Sequence, residues 1–206
     1  MQPLIAFKKK YFSHLLFYFY LAILLTVASC GDDEDLNTIP KPKGYFKIAL
    51  PAKTYIKYDS ICPFTFYFPQ YANISYDNNK GAEPCWINLN FTPFNATLHI
   101  SYKEVNNNLK TYLDDSREFA IKHQIKAVSM TEKVIVEDKK KVYGLVYEID
   151  GNVASSLQFY LTDSTKNFLR GALYFNVPPN SDSLAPVLSF IKTDIYKLIQ
   201  TFEWKR

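Results

Sequence analysis

Short runs of apolar residues, many aromatic or β-branched, recur along the chain after about residue 44. Runs of this length bounded by Pro, Gly, Asn or Asp are typical of β-strands. The pattern predicts strands at Tyr45–Leu50, Thr54–Tyr58, Phe64–Phe68, Trp86–Phe91, Ala96–Tyr102, Ser129–Val136, Val142–Ile149, Ser156–Leu161 and Phe168–Phe175. Short turn segments at Thr92–Asn95, Gly151-Asn152 and Asp163–Asn167 favour hairpins. Strands joined by hairpins are antiparallel, so we expect a mostly antiparallel sheet.

Two segments instead follow the helical period of 3.6 residues. The first carries its apolar and small side chains at Leu109, Tyr112, Leu113, Ser116, Phe119, Ala120 and His123, with Asn106 or Asn107 placed as a cap. The second has a continuous apolar stripe from Leu184 to Phe202, capped by Asp182 or Ser183. The sequence therefore predicts two main helices.

The order of these elements is strands, a helix, four strands and a final helix. It predicts an α+β fold over residues 45–206, a single domain in which two main helices flank a mostly antiparallel sheet. The order is similar to that of the Mog1/PsbP-like sandwich. Such a likeness of fold implies no function by itself.

The N-terminal residues are patterned differently. Lys8, Lys9 and Lys10 precede an apolar run, Leu15–Ala28, which is too short to span a membrane and suits the core of a signal peptide. The run ends in Val27–Cys30, which resembles the lipobox of bacterial lipoproteins. We therefore expect residues 1–29 to be a lipoprotein signal peptide and Cys30 to be lipidated; the alternative is an uncleaved membrane anchor.

Residues 30–44 contain the acidic run Asp32–Asp35 and two prolines, without a helical or strand period. Like charges extend a chain and prolines stiffen it, so this segment is predicted to be a linker. The acidic run is either a solvated spacer or a sorting tag, because it resembles the surface-export signal of Bacteroidetes lipoproteins.

Overall charge excludes one class of function. The chain has 24 basic against 20 acidic side chains, and three of the basic ones lie in the predicted signal peptide. Domains that bind nucleic acids concentrate a large basic excess on one face. We therefore expect no nucleic-acid partner.

Motifs for catalysis or metal binding are missing from the sequence. The chain after residue 30 has two histidines, His99 and His123, at no metal-binding spacing, and it has neither a nucleophile elbow nor a phosphate-binding glycine loop. Each histidine is expected to be structural. The sequence predicts no enzyme, no metal and no cofactor.

Four further residues have alternative interpretations. Arg170 lies in the middle of a predicted strand, where a charge needs a partner or a polar opening. The turn acid Asp163 is the expected ion-pair partner, and a ligand site is the alternative. Cys62 and Cys85 either form a disulfide, which an oxidising periplasm permits, or are buried as small apolar residues.

Several segments together resemble one family. They are Pro42–Phe46 with Ile48 and Leu50-Pro51, Cys85–Asn88, Ser101–Lys103, Asp115–Arg117, Lys122-His123, Lys126-Ala127, Ala154–Lys166 and Phe168–Phe175. Their order over nearly the whole predicted domain is similar to that of the gliding motility lipoprotein GldD of Bacteroidetes.

The resemblance implies an envelope lipoprotein that gliding requires, a non-catalytic component or assembly factor linked with type IX secretion. It implies partners among other gliding and secretion proteins of the envelope. The lipid anchor would hold it on a membrane, with the outer membrane favoured over the inner one. The alternative is an envelope lipoprotein that binds a small molecule or glycan on the aromatic-rich segment Tyr45–Tyr76.

Overall fold

The computed structural model describes residues 47–124 and 126–205, without the side chains of His123 and Gln124. The elements in chain order are β1 (Tyr55–Asp59), β2 (Phe64–Pro69), β3 (Asn73–Tyr76), β4 (Ile87–Phe91), β5 (Ala96–Glu104), α1 (Leu109–Gln124), β6 (Ala127–Glu137), β7 (Val142–Gly151), β8 (Leu157–Thr162), β9 (Asn167–Phe175), α2 (Ser181–Thr201) and β10 (Glu203–Trp204). The predicted signal peptide (1–29), Cys30 and the linker (30–44) lie outside the described residues, so these boundaries stay predictions.

The strands form two antiparallel sheets. The larger has seven strands in the order β3-β4-β5-β9-β8-β7-β6, and the smaller has three in the order β1-β2-β10. Hairpins join β4 to β5, β7 to β8 and β8 to β9, at the predicted turns. The long-range pairing of β5 with β9 joins the strands on either side of α1 into one sheet. The predicted α+β class with antiparallel sheets and two helices is confirmed.

The main core lies between one face of the large sheet, the small sheet and α2. Alternate residues of β2 and β4 point into it, because successive side chains of a strand face opposite sides. The fully buried side chains include Phe64, Phe66, Ile87, Leu89, Leu98, Phe159, Ile195 and Phe202. Gly171 on β9 lies opposite Phe159, and a Cβ at this position would come within 2.3 Å of the ring. The glycine therefore leaves room for the Phe159 ring in the core.

Helix α1 packs on the other face of the large sheet, over β6 to β9. A second, smaller cluster forms there from Ala120, Tyr147, Ile149 and Val153. The main contacts of the helix are with β6 to β9, so the β4 and β5 part of this face is left to polar side chains. The candidate site lies where α1 leaves this face of the sheet uncovered.

A disulfide joins Cys62, just before β2, to Cys85, just before β4, with the Cα atoms 5.6 Å apart. It links the small sheet to the large one. Of the two alternatives that the sequence left open, the structure has the bonded pair.

Some local predictions differ from the structure. Residues 47–50 of the predicted strand Tyr45–Leu50 have no regular secondary structure, whereas β3 and β10 were not predicted because both are short. The cap of α2 is Asn180, whose side chain accepts a hydrogen bond from the Ser183 N–H at 3.1 Å. Asp182 and Ser183, the predicted caps, instead lie in the first turn of the helix.

Glu148 on β7 links the large sheet to α2. Its carboxylate accepts hydrogen bonds from Lys133 Nζ at 2.6 Å, from Lys192 Nζ at 3.0 Å and from the Tyr196 hydroxyl. Burial by itself raises the pKa of Glu148, but these donors outweigh it and lower the pKa from 4.5 to about 2. The ionised form is therefore favoured by folding.

This shift predicts a loss of stability in acid. A carboxyl whose pKa is depressed in the folded state stabilises the fold above its unfolded pKa, and the contribution disappears as the pH falls towards its folded pKa. We expect the free energy of unfolding to fall between about pH 5 and pH 2, and Glu148→Gln to show a smaller fall over that range. Urea unfolding at several pH values measures both. Equal pH dependence in the two proteins would contradict the assigned role of Glu148.

Candidate functional site

A cleft of about 420 Å³ lies where α1 leaves the large sheet uncovered. Cavities of this size are in the range that small ligands occupy. Its walls come from β4, β5, β9, α1 and the segment before β4. The lining residues are Asp77, Trp86, Asn88, His99, Ile100, Ser101, Lys103, Tyr112, Asp115, Ser116, Phe119, Phe168 and Arg170.

Strand alternation explains why this wall is polar. Leu98 and Ile100 of β5 are buried in the core, so His99 and Ser101 face the opposite side. Arg170 of β9 is paired with Ser101 in the sheet register, which places it on the same face. Polar side chains from neighbouring strands therefore meet at the edge of α1.

Arg170 is half-buried at the base of the cleft. Its Nη2 donates a hydrogen bond to Gln158 Oε1 at 2.6 Å, and its guanidinium lies 4.8 Å from the centre of the Phe119 ring. A hydrogen bond with Tyr174 adds to these contacts, and burial lowers the pKa of Arg170. Nε2 of the same Gln158 is buried without a hydrogen-bond partner among the described residues.

The predicted ion pair between Asp163 and Arg170 is wrong in this structure. Asp163 Oδ1 accepts hydrogen bonds from the backbone N–H groups of Thr165, Lys166 and Asn167 at 2.8–2.9 Å, and Oδ2 accepts one from the Asn167 side chain. Burial alone raises the pKa of Asp163, but these hydrogen bonds outweigh it and leave the pKa below its ordinary value. Asp163 therefore closes the turn between β8 and β9, while Arg170 points into the cleft.

His99 is a further titratable group on this wall. Its Nδ1 lies 2.7 Å from Asn88 Oδ1, so the ring donates to the amide oxygen, and its ring stands edge-on to Tyr174. Burial lowers the pKa of His99, which favours the neutral imidazole. The His123 side chain lies outside the described part of the structure, so its predicted structural role is untested.

Aromatic rings also line the cleft. Tyr112 of α1 packs on Phe168 with their centres 5.3 Å apart. Trp86 donates its indole N–H to the Tyr102 carbonyl at 2.9 Å, which fixes the orientation of its ring. Lys103 lies 5.2 Å from the Trp86 ring centre and is paired with Glu83.

The aromatic segment Tyr45–Tyr76, expected to offer a binding platform, is partly used in core packing, whereas Tyr67 and Tyr76 are exposed. Tyr58, Phe64, Phe66 and Phe68 of that segment are buried in the core.

The charge of Arg170 in the middle of a predicted strand was the sequence feature that indicated the cleft. The other cleft residues were missed because they come from strands and a helix far apart in the sequence.

The cleft can hold a ligand through hydrogen bonds and ring contacts. Within the described residues, no group of three or more His, Cys, Asp or Glu side chains is arranged to bind a metal. In the same part of the chain, no helix is long and apolar enough to cross a membrane.

Comparison with known proteins identifies the family. The family model described as gliding motility lipoprotein GldD matches residues 35–204. The chain belongs to this family. Membership assigns it a role in gliding motility and, as a lipoprotein, association with the cell envelope. No curated protein matches the sequence.

Solved structures similar to the chain include the solution structure of cyanobacterial PsbP (CyanoP) from Synechocystis sp. PCC 6803, with 14% identity and a TM-score of 0.45. The match covers 77% of this chain and 96% of the CyanoP chain.

Proposed function

We propose that the protein is a non-catalytic component or assembly factor of the gliding apparatus and of the type IX secretion machinery linked with it. A lipid on Cys30 would hold it on a membrane, the outer membrane being favoured, and the domain would contact other envelope proteins. Family membership over residues 35–204 carries this proposal. The acidic run after Cys30, which resembles a surface-export signal, supports the choice of membrane.

The strand β6 is the surface that best suits a protein partner. It forms one edge of the large sheet, it is eleven residues long, and eight of these residues are exposed. An edge strand offers unpaired backbone groups to an added strand. Two of its valines, Val134 and Val136, are 73% and 64% exposed. We propose that an extended segment of an envelope partner pairs with β6.

The charge of one residue of β6, Lys133, is engaged within the domain. Charged side chains on an edge strand usually discourage the addition of another strand. Lys133 bonds to Glu148 on the face that packs against α2, so its charge is turned away from the open backbone edge. Exposed valines next to that edge add apolar area to the contact.

A deletion strain tests the general role. We expect loss of colony spreading together with reduced release of secreted proteins, since the proposal links both to one machinery. Cell fractionation, with and without protease added to whole cells, then assigns the membrane and its leaflet. Loss of spreading with normal secretion would contradict the type IX part of the proposal.

The proposed contact at β6 is tested by expressing the Val134→Lys variant in the deletion strain. Because Val134 is exposed, we expect the free energy of unfolding to change by less than about 0.5 kcal/mol, while spreading falls strongly. Ile61→Lys is the matched control, since Ile61 is 94% exposed in the turn between β1 and β2 and should tolerate the change. Normal spreading of the Val134→Lys strain at normal protein abundance would show that β6 is not the contact.

A second candidate function is the binding of a small molecule. The cleft favours it, because its volume and its mixture of rings and polar groups are those of a ligand site.

A further inference from the structure

Arg170 in the cleft is a cation without an anionic partner among the side chains that the structure describes. Among the described residues, no carboxylate lies within 4.0 Å of the Arg170 guanidinium. Its contacts are an amide oxygen, a phenol and the face of a ring, all uncharged. Charged side chains removed from water are ordinarily paired with an opposite charge. Arg170 therefore has the capacity to bind an anion from outside the protein.

The position of this cation suits a ligand. Arg170 lines the cleft, so its charge borders about 420 Å³ of open space rather than packed core. A guanidinium presents its donors in a planar fork that matches a carboxylate or a phosphate.

The remaining charges favour an anion with a single charge. Lys103 is paired with Glu83, which leaves Arg170 as the unpaired cation among the described lining residues. Asp77 and Asp115 also line the cleft and would repel a dianion. A carboxylate fits this balance better than a phosphate does.

The walls favour a ring attached to that carboxylate. Trp86, Tyr112, Phe119 and Phe168 supply the apolar part of the lining. Flat aromatic faces pack well against planar rings and against the apolar faces of sugars. The indole of Trp86 is fixed by its hydrogen bond to the Tyr102 carbonyl, so its side chain loses little conformational freedom when a ligand binds.

We propose that this cleft is a binding site for a small ligand in which a carboxylate is attached to a ring. Arg170 binds the carboxylate, and Trp86 and Phe119 contact the ring. The proposal rests on small-molecule binding, the second candidate function above, and is independent of the role in the gliding apparatus. An acidic sugar and an aromatic acid share this chemistry, and the test below distinguishes them.

The test uses fluorine NMR on the full-length chain, labelled with 5-fluorotryptophan and kept in solution with a polyoxyethylene detergent. The chain has two tryptophans, so two signals report on two places. Trp86 lines the cleft, whereas Trp204 lies on β10 in the small sheet and serves as an internal control. A Trp204→Phe variant assigns the signals.

Four probes are titrated in two matched pairs. N-acetylmuramic acid is compared with N-acetylglucosamine, which lacks its lactyl group and with it the carboxylate, and hippurate is compared with its neutral amide. We expect at least one acid to shift the Trp86 signal saturably, without moving Trp204, and its neutral partner to have no such effect. The acid that binds shows whether the ring is a sugar or an aromatic. Equal responses to acid and neutral partner, a joint shift of both tryptophans, or no response of Trp86 to any probe would overturn the proposal.

Two substitutions test how Arg170 and Asp115 affect binding of the acid. Arg170→Met should weaken binding of the acid at least about tenfold, because it removes a charge-assisted hydrogen bond. Asp115→Asn removes a like charge at an exposed position and should tighten binding about two- to fivefold. Asp114→Asn is its matched control, since Asp114 is exposed on the same helix, is paired with Lys110 and does not line the cleft.

The second variant keeps the proposal testable if Arg170→Met does not fold. Asp115→Asn changes an exposed residue, so its folding should match that of the parent. If Asp115→Asn binds the acid no more tightly than Asp114→Asn, the carboxylate does not lie in this cleft and the proposal fails.

Discussion

Replacing Asp194 by Asn is expected to lower the free energy of unfolding by about 3–5 kcal/mol. Asp194 lies on the inner face of α2, and its side chain is fully buried. Its carboxylate accepts hydrogen bonds from Lys53 Nζ at 2.8 Å, from the Tyr55 hydroxyl at 2.6 Å and from the Tyr71 hydroxyl at 2.5 Å. An amide cannot accept all three donors, and it leaves the ammonium of Lys53 without its counter-charge.

These contacts join α2 to chain segments more than 120 residues earlier. Lys53 also donates to the Phe190 carbonyl and lies 3.9 Å from the centre of the Phe190 ring. Burial and the bonds to Asp194 raise the pKa of both Tyr55 and Tyr71 well above the ordinary value. Both phenols therefore remain hydrogen-bond donors to Asp194 over the whole physiological range.

Urea unfolding of the parent and of Asp194→Asn measures this effect. The control is Asp114→Asn, an exposed acid in an (i, i+4) pair on α1, which should change the free energy of unfolding by about 0.5 kcal/mol or less. Adding Lys53→Met to Asp194→Asn should cost less than the two single changes together, because the residues are in contact. A loss below about 1 kcal/mol for Asp194→Asn would show that the buried cluster contributes little net stability.

Replacing Cys30 by Ser is expected to abolish lipid attachment and, with it, colony spreading. The acyl chains of a lipoprotein are attached through the cysteine thiol, and each buried CH₂ contributes about 0.8 kcal/mol to membrane binding. Without them, the protein should accumulate as an unprocessed precursor. Metabolic labelling with a tagged fatty acid measures attachment, and a spreading assay in the deletion strain measures function.

The other cysteines do not complicate this experiment. Cys62 and Cys85 are joined in a disulfide, so neither offers a free thiol for the label. Ser29→Ala is the matched control, because it keeps a small residue before Cys30 and should be labelled normally. Label on the Cys30→Ser protein would contradict the assignment of Cys30 as the lipidated residue, and normal spreading without label would separate anchoring from gliding.

Much of the fold was predictable because local pattern and tertiary packing agree. The stripe on α2 predicts which side of the helix is buried, and Ile191, Ile195 and Leu198 are indeed buried. The turns at Gly151-Asn152 and Asp163–Asn167 were predictable from residues that adopt tight turns. In the second turn, the acid satisfies three backbone donors by itself, so no distant residue is needed.

The pairing of Arg170 was not predictable in the same way. Proximity in sequence suggested Asp163, but the backbone N–H groups of the turn lie closer to that carboxylate. Gln158, which accepts a hydrogen bond from Arg170, lies on the neighbouring strand. Register across strands decides such contacts, and a sequence alone does not fix the register.

The sequence by itself determined the class of fold and the family, because each depends on local periodicity or on an ordered set of short segments. Only the tertiary structure decided that the cysteines bond, that Asp194 faces inward with Lys53, and that Trp86, Arg170 and α1 enclose a cleft. These features join residues distant in sequence. Their geometry follows from how the helices pack on the sheets, which no local pattern specifies.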